Sequence, residues 1–162
     1  MAQIYISLGS NVNREHNLKA GLTALIKHFP NYKHSSVYES VAVGFNGSNF
    51  YNSVLSASTD LSLEQVCVLL KQIELDNGRT RQDKKFSPRT LDLDLLFYDD
   101  VICEQPAQLP RDEITKNAFV LLPLFEIAPD HVHPVCKRSI ADIWQAYNNP
   151  NQKLWKVEFS LP

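Results

Sequence analysis

The sequence predicts an α+β fold of the ferredoxin-like, split βαβ type: an antiparallel sheet covered by helices on one face, with additional C-terminal helices. Extended and helical segments alternate in the order β-α-β-β-α-β before a last helical stretch. The helical segments carry apolar stripes at helical spacing, and the extended ones are β-branched or aromatic runs bounded by turn residues. At 162 residues the chain is long enough to bury a core without disulfides or metals, and one domain over 1–162 is expected. A formal charge of −2 gives no general attraction to nucleic acid or to a membrane surface.

Taken in order, Gln3 to Leu8 reads as a strand that ends in the turn Gly9-Ser10-Asn11. Asn13 is placed to cap a helix from about Arg14 to Phe29, with Leu18, Leu22, Leu25, Ile26 and Phe29 on one face and Pro30 as its stop. Lys33 to Val43 reads as a strand with Val37, Val41 and Val43 on one face, broken by the loop from Gly44 to Asn49. Phe50 to Thr59 is a second extended run that pairs antiparallel with it across that loop. Ser62 caps a helix to about Asn77, with Leu63, Val66, Leu69, Leu70 and Ile73 inward and Gly78 ending it. Leu91 to Leu95 alternates like a strand with one wet face, and Val101 to Cys103 reads as a short return strand. From Thr115 to Ala128 the apolar density predicts a buried helix, kinked or restarted at Pro123. Ser139 caps a short helix from Ile140 to Tyr147, and Leu154 to Phe159 forms a final strand.

Chemistry concentrates between Arg79 and Phe97. Asp92 and Asp94 are two apart on a predicted strand, so their carboxylates point the same way and Leu91, Leu93 and Leu95 point the other. Two carboxylates about 6 Å apart repel by roughly 3 kcal/mol at an effective dielectric near 20. A divalent cation beside them reverses the sign of that interaction. Immediately upstream, Arg79, Arg81, Lys84, Lys85 and Arg89 stand against the single acid Asp83. An anion-binding segment thus runs into a cation-binding pair, the charge arrangement that a magnesium–polyphosphate complex needs. An Asp-x-Asp strand beside a basic loop is also what a solvated edge looks like, and the motif alone does not decide between the two. Phe50, Tyr51 and Asn52 offer aromatic rings and an amide to a site. His131-x-His133 has ligand chemistry but no third ligand nearby.

The start of the chain has neither the apolar length nor the basic flank of a secretory signal, and no stretch reaches the length of a membrane-spanning helix. Cys67, Cys103 and Cys136 are odd in number and widely spaced, as reduced thiols of a cytoplasmic protein are.

One string is far more specific than its parts. Ile73-Glu74, Gly78-Arg79-x-Arg81 and Ser87-Pro88-Arg89-Thr90-Leu91-Asp92-Leu93-Asp94 together resemble the signature of the 6-hydroxymethyl-7,8-dihydropterin pyrophosphokinase family. Leu8-Gly9-Ser10-Asn11 and Pro123-Leu124-Phe125-Glu126-Ile127-Ala128-Pro129 resemble the same family, and Phe50-Tyr51-Asn52 does so less literally. The resemblance runs from about Ile4 to Pro134. It implies a folate-pathway enzyme that moves pyrophosphate from ATP to the hydroxymethyl group of a reduced pterin and releases AMP. By similarity, Asp92 and Asp94 hold two Mg2+ ions that bridge the ATP phosphates, and Arg79 and Arg89 stabilise charge moving onto the leaving AMP. ATP contacts are implied for Arg79, Arg81, Phe86, Arg89 and Arg111. Pterin contacts are implied for Val41, Val43, Phe50, Asn52, Phe86 and Phe119. The segment from Thr80 to Ser87 is implied to close over the nucleotide. The partners expected are ATP and a reduced pterin, with no nucleic acid and no membrane, and the chain is expected to act as a monomer.

Three positions depart from that pattern. Leu109-Pro110 is followed by Arg111-Asp112 where the family commonly has His-Pro or His-Tyr. The segment that usually carries Thr-Pro-Pro reads Ser40-Val41-Ala42, and Phe50 lacks the hydroxyl of the family's usual Tyr. These departures keep two other readings open at the level of sequence: a paralogue acting on a different pterin or alcohol, and a non-catalytic module that retains a nucleotide site.

Overall fold

The computed structural model describes residues 1–41, 49–78, 91–149 and 152–162. Its elements are β1 (Ala2–Ser10), α1 (Arg14–His28), β2 (Lys33–His34), β3 (Val37–Ser40), β4 (Phe50–Thr59), α2 (Leu63–Asp76) and β5 (Asp92–Tyr98). A 3-10 turn (Asp112–Thr115), α3 (Ala118–Ile127), α4 (Ile140–Ala146) and β6 (Leu154–Val157) follow. The sheet runs β5-β1-β4-β3-β6, and β2 pairs with β4 beside that path. All its pairings are antiparallel. The crossovers through α1 and α2 each join strands that skip one neighbour, as the split βαβ arrangement requires, whereas α3 and α4 lead from β5 to β6 at the opposite end of the order.

The amphipathic stripes explain the layers. Leu18, Leu22, Leu25 and Phe29 of α1 and Val66, Leu70 and Ile73 of α2 pack with Ile4, Ile6, Leu8, Leu55, Leu91, Leu93 and Leu95. The C-terminal elements do not extend this layer. Val120, Leu121 and Leu124 of α3 and Ile140 and Ile143 of α4 form a second core with Tyr5, Val54, Leu96 and Phe97. Helices thus cover both faces of the sheet rather than one. The alternating strands β1, β4 and β5 are apolar enough on both sides to demand it.

A bulge makes β5 serve both layers. Tyr5 pairs with Phe97 and Ile6 with Leu95, leaving Leu96 as the extra residue. Leu95 enters the first core, Leu96 and Phe97 both enter the second, and Tyr98 returns to the first.

Several local expectations change. Asn13 is in the left-handed region, φ 43° and ψ 51°, and its side chain makes no cap bond to α1. Asparagine is among the few residues that adopt this conformation at low cost. The single strand expected from Lys33 is two, β2 and β3, separated at Ser35-Ser36. Val41 lies past the end of β3 and is exposed, so it is not part of a core face. Val101 to Cys103 contributes one isolated bridge, Cys103 to Leu109, rather than a strand. The helix expected from Thr115 divides into the 3-10 turn and α3, and α3 continues through Pro123. The cap at Ser62 forms as expected: its Oγ accepts from Gln65 N and its own N donates to Gln65 Oε1. No described helix is long and apolar enough to cross a membrane.

Glu126, at the end of α3, explains the break between β2 and β3. Its carboxylate accepts hydrogen bonds from Ser36 N at 3.0 and 3.1 Å, Ser36 Oγ at 2.9 Å and Tyr38 Oη at 2.6 Å. Burial pushes its pKa up, but the bonds from Tyr38 and Ser36 outweigh burial and hold it below the ordinary value. A depressed carboxylate stabilises the fold above its unfolded pKa, and that contribution disappears as pH falls through the folded value. Glu126→Ala should therefore cost about 1–2 kcal/mol at pH 7, or a few degrees in Tm. Thermal unfolding at pH 7 and pH 3 checks this, with the gap between wild type and variant closing at pH 3.

Candidate active site

The face of β5 opposite Leu91, Leu93 and Leu95 carries Asp92 and Asp94. Antiparallel register then fixes what stands beside them. Asp92 pairs with Gly9 of β1, and Gly9 pairs with Asn52 of β4. One row of the sheet thus reads Asn52, Gly9, Asp92. The next reads Val54, Ser7, Asp94. With strands about 4.8 Å apart, Asn52 and Asp92 lie on the order of 10 Å from each other across the glycine.

Gly9 matters because its neighbours use the space a side chain would take. A Cβ there would stand 3.3 Å from Asn52 Oδ1 and 3.8 Å from the Phe50 ring. Asn52 is buried, and its Nδ2 donates to Ser40 Oγ at 2.7 Å. The hydroxyl of Ser40, itself buried, thereby fixes which way the amide points. Phe50, Asn52 and Val54 alternate onto this same face, and α3 covers it with Phe119 half-buried in its first turn.

The carboxylates are held in a demanding environment. Glu74, at the end of α2, accepts from the backbone N–H of Leu93 at 2.8 Å and fixes the strand between the two acids. Arg111 Nη2 lies 3.2 Å from Asp94 Oδ1 and 3.1 Å from Glu113 Oε1. Burial first, then the neighbouring Asp92, push the Asp94 pKa up to about 8 in spite of Arg111. Burial works against the Arg111 charge, but Asp94 and Glu113 more than offset it and raise its pKa. Paired hard oxygen donors that repel each other, with one disfavoured as an anion, fit a divalent cation. Among the described residues no third acid, cysteine or histidine joins them in a metal-holding group.

Of the residues singled out in the sequence, the structure brings Phe50, Asn52, Asp92 and Asp94 onto one sheet face, with Arg111 at Asp94 and Phe119 on the covering helix. Val41 stands exposed at the end of β3. Val43, Arg79, Arg81, Phe86 and Arg89 lie outside the described residues. His131 and His133 do other work. The His131 ring packs 4.4 Å from that of Phe97 and 4.8 Å from that of Tyr5. His133 Nδ1 accepts from the backbone N–H groups of Val135 and Cys136.

Sequence reasoning missed several supporting residues. Ser40 and Gly9 act through cross-strand register, which no local pattern reveals. Glu113 follows a residue that had drawn notice, Arg111, and an acid two positions after a candidate phosphate-binding arginine was the available signal. In the sequence Arg14 reads only as a helix start. It forms an ion pair with Glu39 at 3.2 Å, donates to Asn49 O and lies 4.1 Å over the Tyr51 ring, which secures the start of β4.

Comparison with known proteins places these features in a family context. Residues 5–129 match the model of the 7,8-dihydro-6-hydroxymethylpterin-pyrophosphokinase family. The 2-amino-4-hydroxy-6-hydroxymethyldihydropteridine pyrophosphokinase of Aquifex aeolicus is 36% identical over 145 residues, covering 88% of this chain and 90% of that protein. The Haemophilus influenzae protein of the same name is 35% identical, covering 83% of this chain and 86% of its own length. A folic acid synthesis protein of Pneumocystis carinii is 37% identical, but the chain spans only 20% of it. Among solved structures, Plasmodium falciparum HPPK-DHPS with pteroate superposes with a TM-score of 0.70 at 14% identity, over 89% of this chain and 42% of that one. That likeness is one of fold.

The raised Asp94 pKa has a measurable consequence. A folded-state pKa above the unfolded 3.8 means that the group's contribution is fully present below that value and lost as pH rises toward 8. Metal-free Asp94→Asn should therefore exceed wild type in stability at pH 8.5 by about 1 kcal/mol, some 2–4 °C in Tm. The difference should shrink toward pH 4, and Tm measured across that range in the presence of a chelator checks it.

Proposed function

The chain belongs to the 7,8-dihydro-6-hydroxymethylpterin-pyrophosphokinase family, and from that membership we infer that it is an ATP-dependent diphosphotransferase acting on 6-hydroxymethyl-7,8-dihydropterin. The hydroxymethyl oxygen attacks the β-phosphorus of ATP, the bond from that phosphorus to the α-phosphate bridging oxygen breaks, and AMP departs. The hydroxyl proton passes to solvent. The products are the pterin pyrophosphate and AMP, a step of folate synthesis.

The observation that carries this reading is the row Asn52, Gly9, Asp92, with Asp94 and Arg111 next to it. It sets an amide for a flat heterocycle and a carboxylate pair for metal-bound phosphates on one rigid sheet face, on the order of 10 Å apart. Phosphoryl-type transfer asks little covalent chemistry of a protein, so fixed positions and charge neutralisation are what catalysis needs. Asp92 and Asp94 hold the divalent cation that this ATP-using family implies, with two Mg2+ ions as the specific proposal. When bound, such ions neutralise charge on the phosphate oxygens and on the departing AMP. Asn52, oriented by Ser40, binds the pterin edge, and Phe50 and Phe119 present rings to its plane. Arg79, Arg81 and Arg89 contact the phosphates, as their number and the bidentate geometry of guanidinium favour. Phe86 is proposed to lie against both substrates, and the backbone near Val41 and Val43 to meet the pterin.

Free thiols at Cys67, Cys103 and Cys136 agree with a reducing, cytoplasmic setting. We propose further that the chain works as one domain and as a monomer.

Incubation with ATP, Mg2+ and 6-hydroxymethyl-7,8-dihydropterin should yield AMP in proportion to pterin consumed. Absence of pterin-dependent AMP, with AMP instead from another hydroxymethyl acceptor, would reassign the substrate. Asp92→Ala and Asp94→Ala should each lower kcat by at least about a hundredfold while circular dichroism stays native, the loss expected when an oxyanion-neutralising group is removed. Asn52→Ala should raise the pterin KM by about tenfold, equivalent to a lost buried hydrogen bond, and leave ATP affinity unchanged in equilibrium titration.

A further inference from the structure

The backbone of Arg111 is held at both of its polar groups. Its backbone N–H donates to Leu96 O at 3.1 Å, two residues along β5 from Asp94, and its carbonyl accepts from Ile114 N at 3.2 Å. The guanidinium then makes unequal contacts. Glu113 Oε1 receives both Nε, at 3.2 Å, and Nη2, at 3.1 Å, whereas Asp94 Oδ1 faces Nη2 alone, at 3.2 Å. Glu113 is the firmer anchor and the Asp94 contact the easier one to give up.

We propose that Arg111 is a built-in stand-in cation: it occupies the Asp94 carboxylate while the site lacks metal, and it leaves that carboxylate for a nucleotide phosphate as the divalent ion loads. The inference rests on the reading of Asp94 as a metal ligand of a pyrophosphokinase. A monovalent guanidinium and a divalent ion about 5 Å apart repel, even at the dielectric of water, by enough to weaken binding on the order of tenfold. Both cannot stay on one carboxylate without that cost. With Glu113 as the pivot, Arg111 can swing from Asp94 without losing its remaining anion. Its side chain is 30% exposed, which leaves it room to move.

The exchange couples metal to nucleotide. Free divalent ion must displace Arg111 with only Glu113 to receive it, so binding is weak. Ion that arrives with a polyphosphate brings the new partner along, and the two bindings reinforce each other reciprocally. A histidine at this position would be largely neutral at physiological pH and could not act in this way.

Mn2+ binding to the nucleotide-free protein, followed by the electron paramagnetic resonance signal of the free ion, tests the exchange. Arg111→Gln should bind Mn2+ on the order of tenfold more tightly than wild type, the factor that the repulsion above implies. Arg111→Lys, which keeps the charge but loses the fork to Glu113, should bind Mn2+ no more tightly than wild type. In wild type, the Arg111 Nε–Hε resonance should shift on titration with Mg2+ alone, a readout that needs no variant to fold. Unchanged or weaker Mn2+ affinity in folded Arg111→Gln, or an Nε–Hε signal unmoved at saturating Mg2+, would overturn the proposal. Failure of the pyrophosphokinase reading shows separately, as absent pterin-dependent AMP in wild type.

Discussion

Everything near the site answers one electrostatic constraint: two carboxylates, Asp92 and Asp94, sit side by side on a sheet face that the fold covers with helices. Such a pair is costly to bury as anions, and the upward push on Asp94, from burial first and then from Asp92, records that cost. The surrounding structure keeps the pair from relaxing. Glu74 ties the intervening Leu93 N–H, Leu93 and Leu95 anchor the other side of β5 in the α1/α2 core, and Arg111 touches Asp94 from the 3-10 turn. The strand cannot rotate its acids toward water without pulling leucines out of a core. Stored electrostatic repulsion of this kind is what a divalent ion bound with phosphate releases.

The sheet also fixes the spacing of the other polar groups on this face. Antiparallel register places Asn52 across Gly9 from Asp92, so the distance between the amide and the carboxylate is set by strand spacing rather than by loops. Gly9 keeps the passage between them open, and Ser40 holds the amide in a single orientation. The β5 bulge has a related effect. By turning both Leu96 and Phe97 into the second core, it anchors the strand directly beyond Asp94, where Arg111 N–H meets Leu96 O. Precision at the reacting centre thus comes from elements with regular hydrogen bonding, as catalysis by positioning requires.

Local periodicity made the acids, the helix stripes and the element order legible in the sequence. The alternation Leu91 to Leu95 states which residues share a face, and the Ser62 cap with Gln65 states where α2 begins. Long-range pairing is not written in such patterns. Nothing in the run Phe50-Tyr51-Asn52 says that Asn52 will stand opposite Gly9, and Ser40 was conspicuous only as a departure from proline. The second helical layer was missed for a related reason: the bulge at Leu96 breaks the period-two pattern that would have shown β5 facing two cores. Asn13 misled because asparagine suits both a helix cap and the left-handed backbone it in fact adopts. The basic segment of Arg79, Arg81 and Arg89 is legible as charge alone, and it lies outside the described residues.

Arg111 shows how one substitution can be absorbed by a site without loss of logic. A permanent cation beside a carboxylate proposed to bind metal looks at first like a competitor. Glu113 changes that balance, because it gives the guanidinium a second anion and divides its attraction. An arginine shared between two acids offsets part of the repulsion between Asp94 and Asp92 and, in the proposed exchange, remains easier to displace than one bound to Asp94 alone. The same sharing leaves the charge near where polyphosphate would lie, and phosphate oxygens suit a guanidinium better than a carboxylate already committed to metal. The three residues Asp94, Arg111 and Glu113 thus form one charged triad, and in the proposed exchange it is the acid on the turn that keeps the arginine from obstructing the metal.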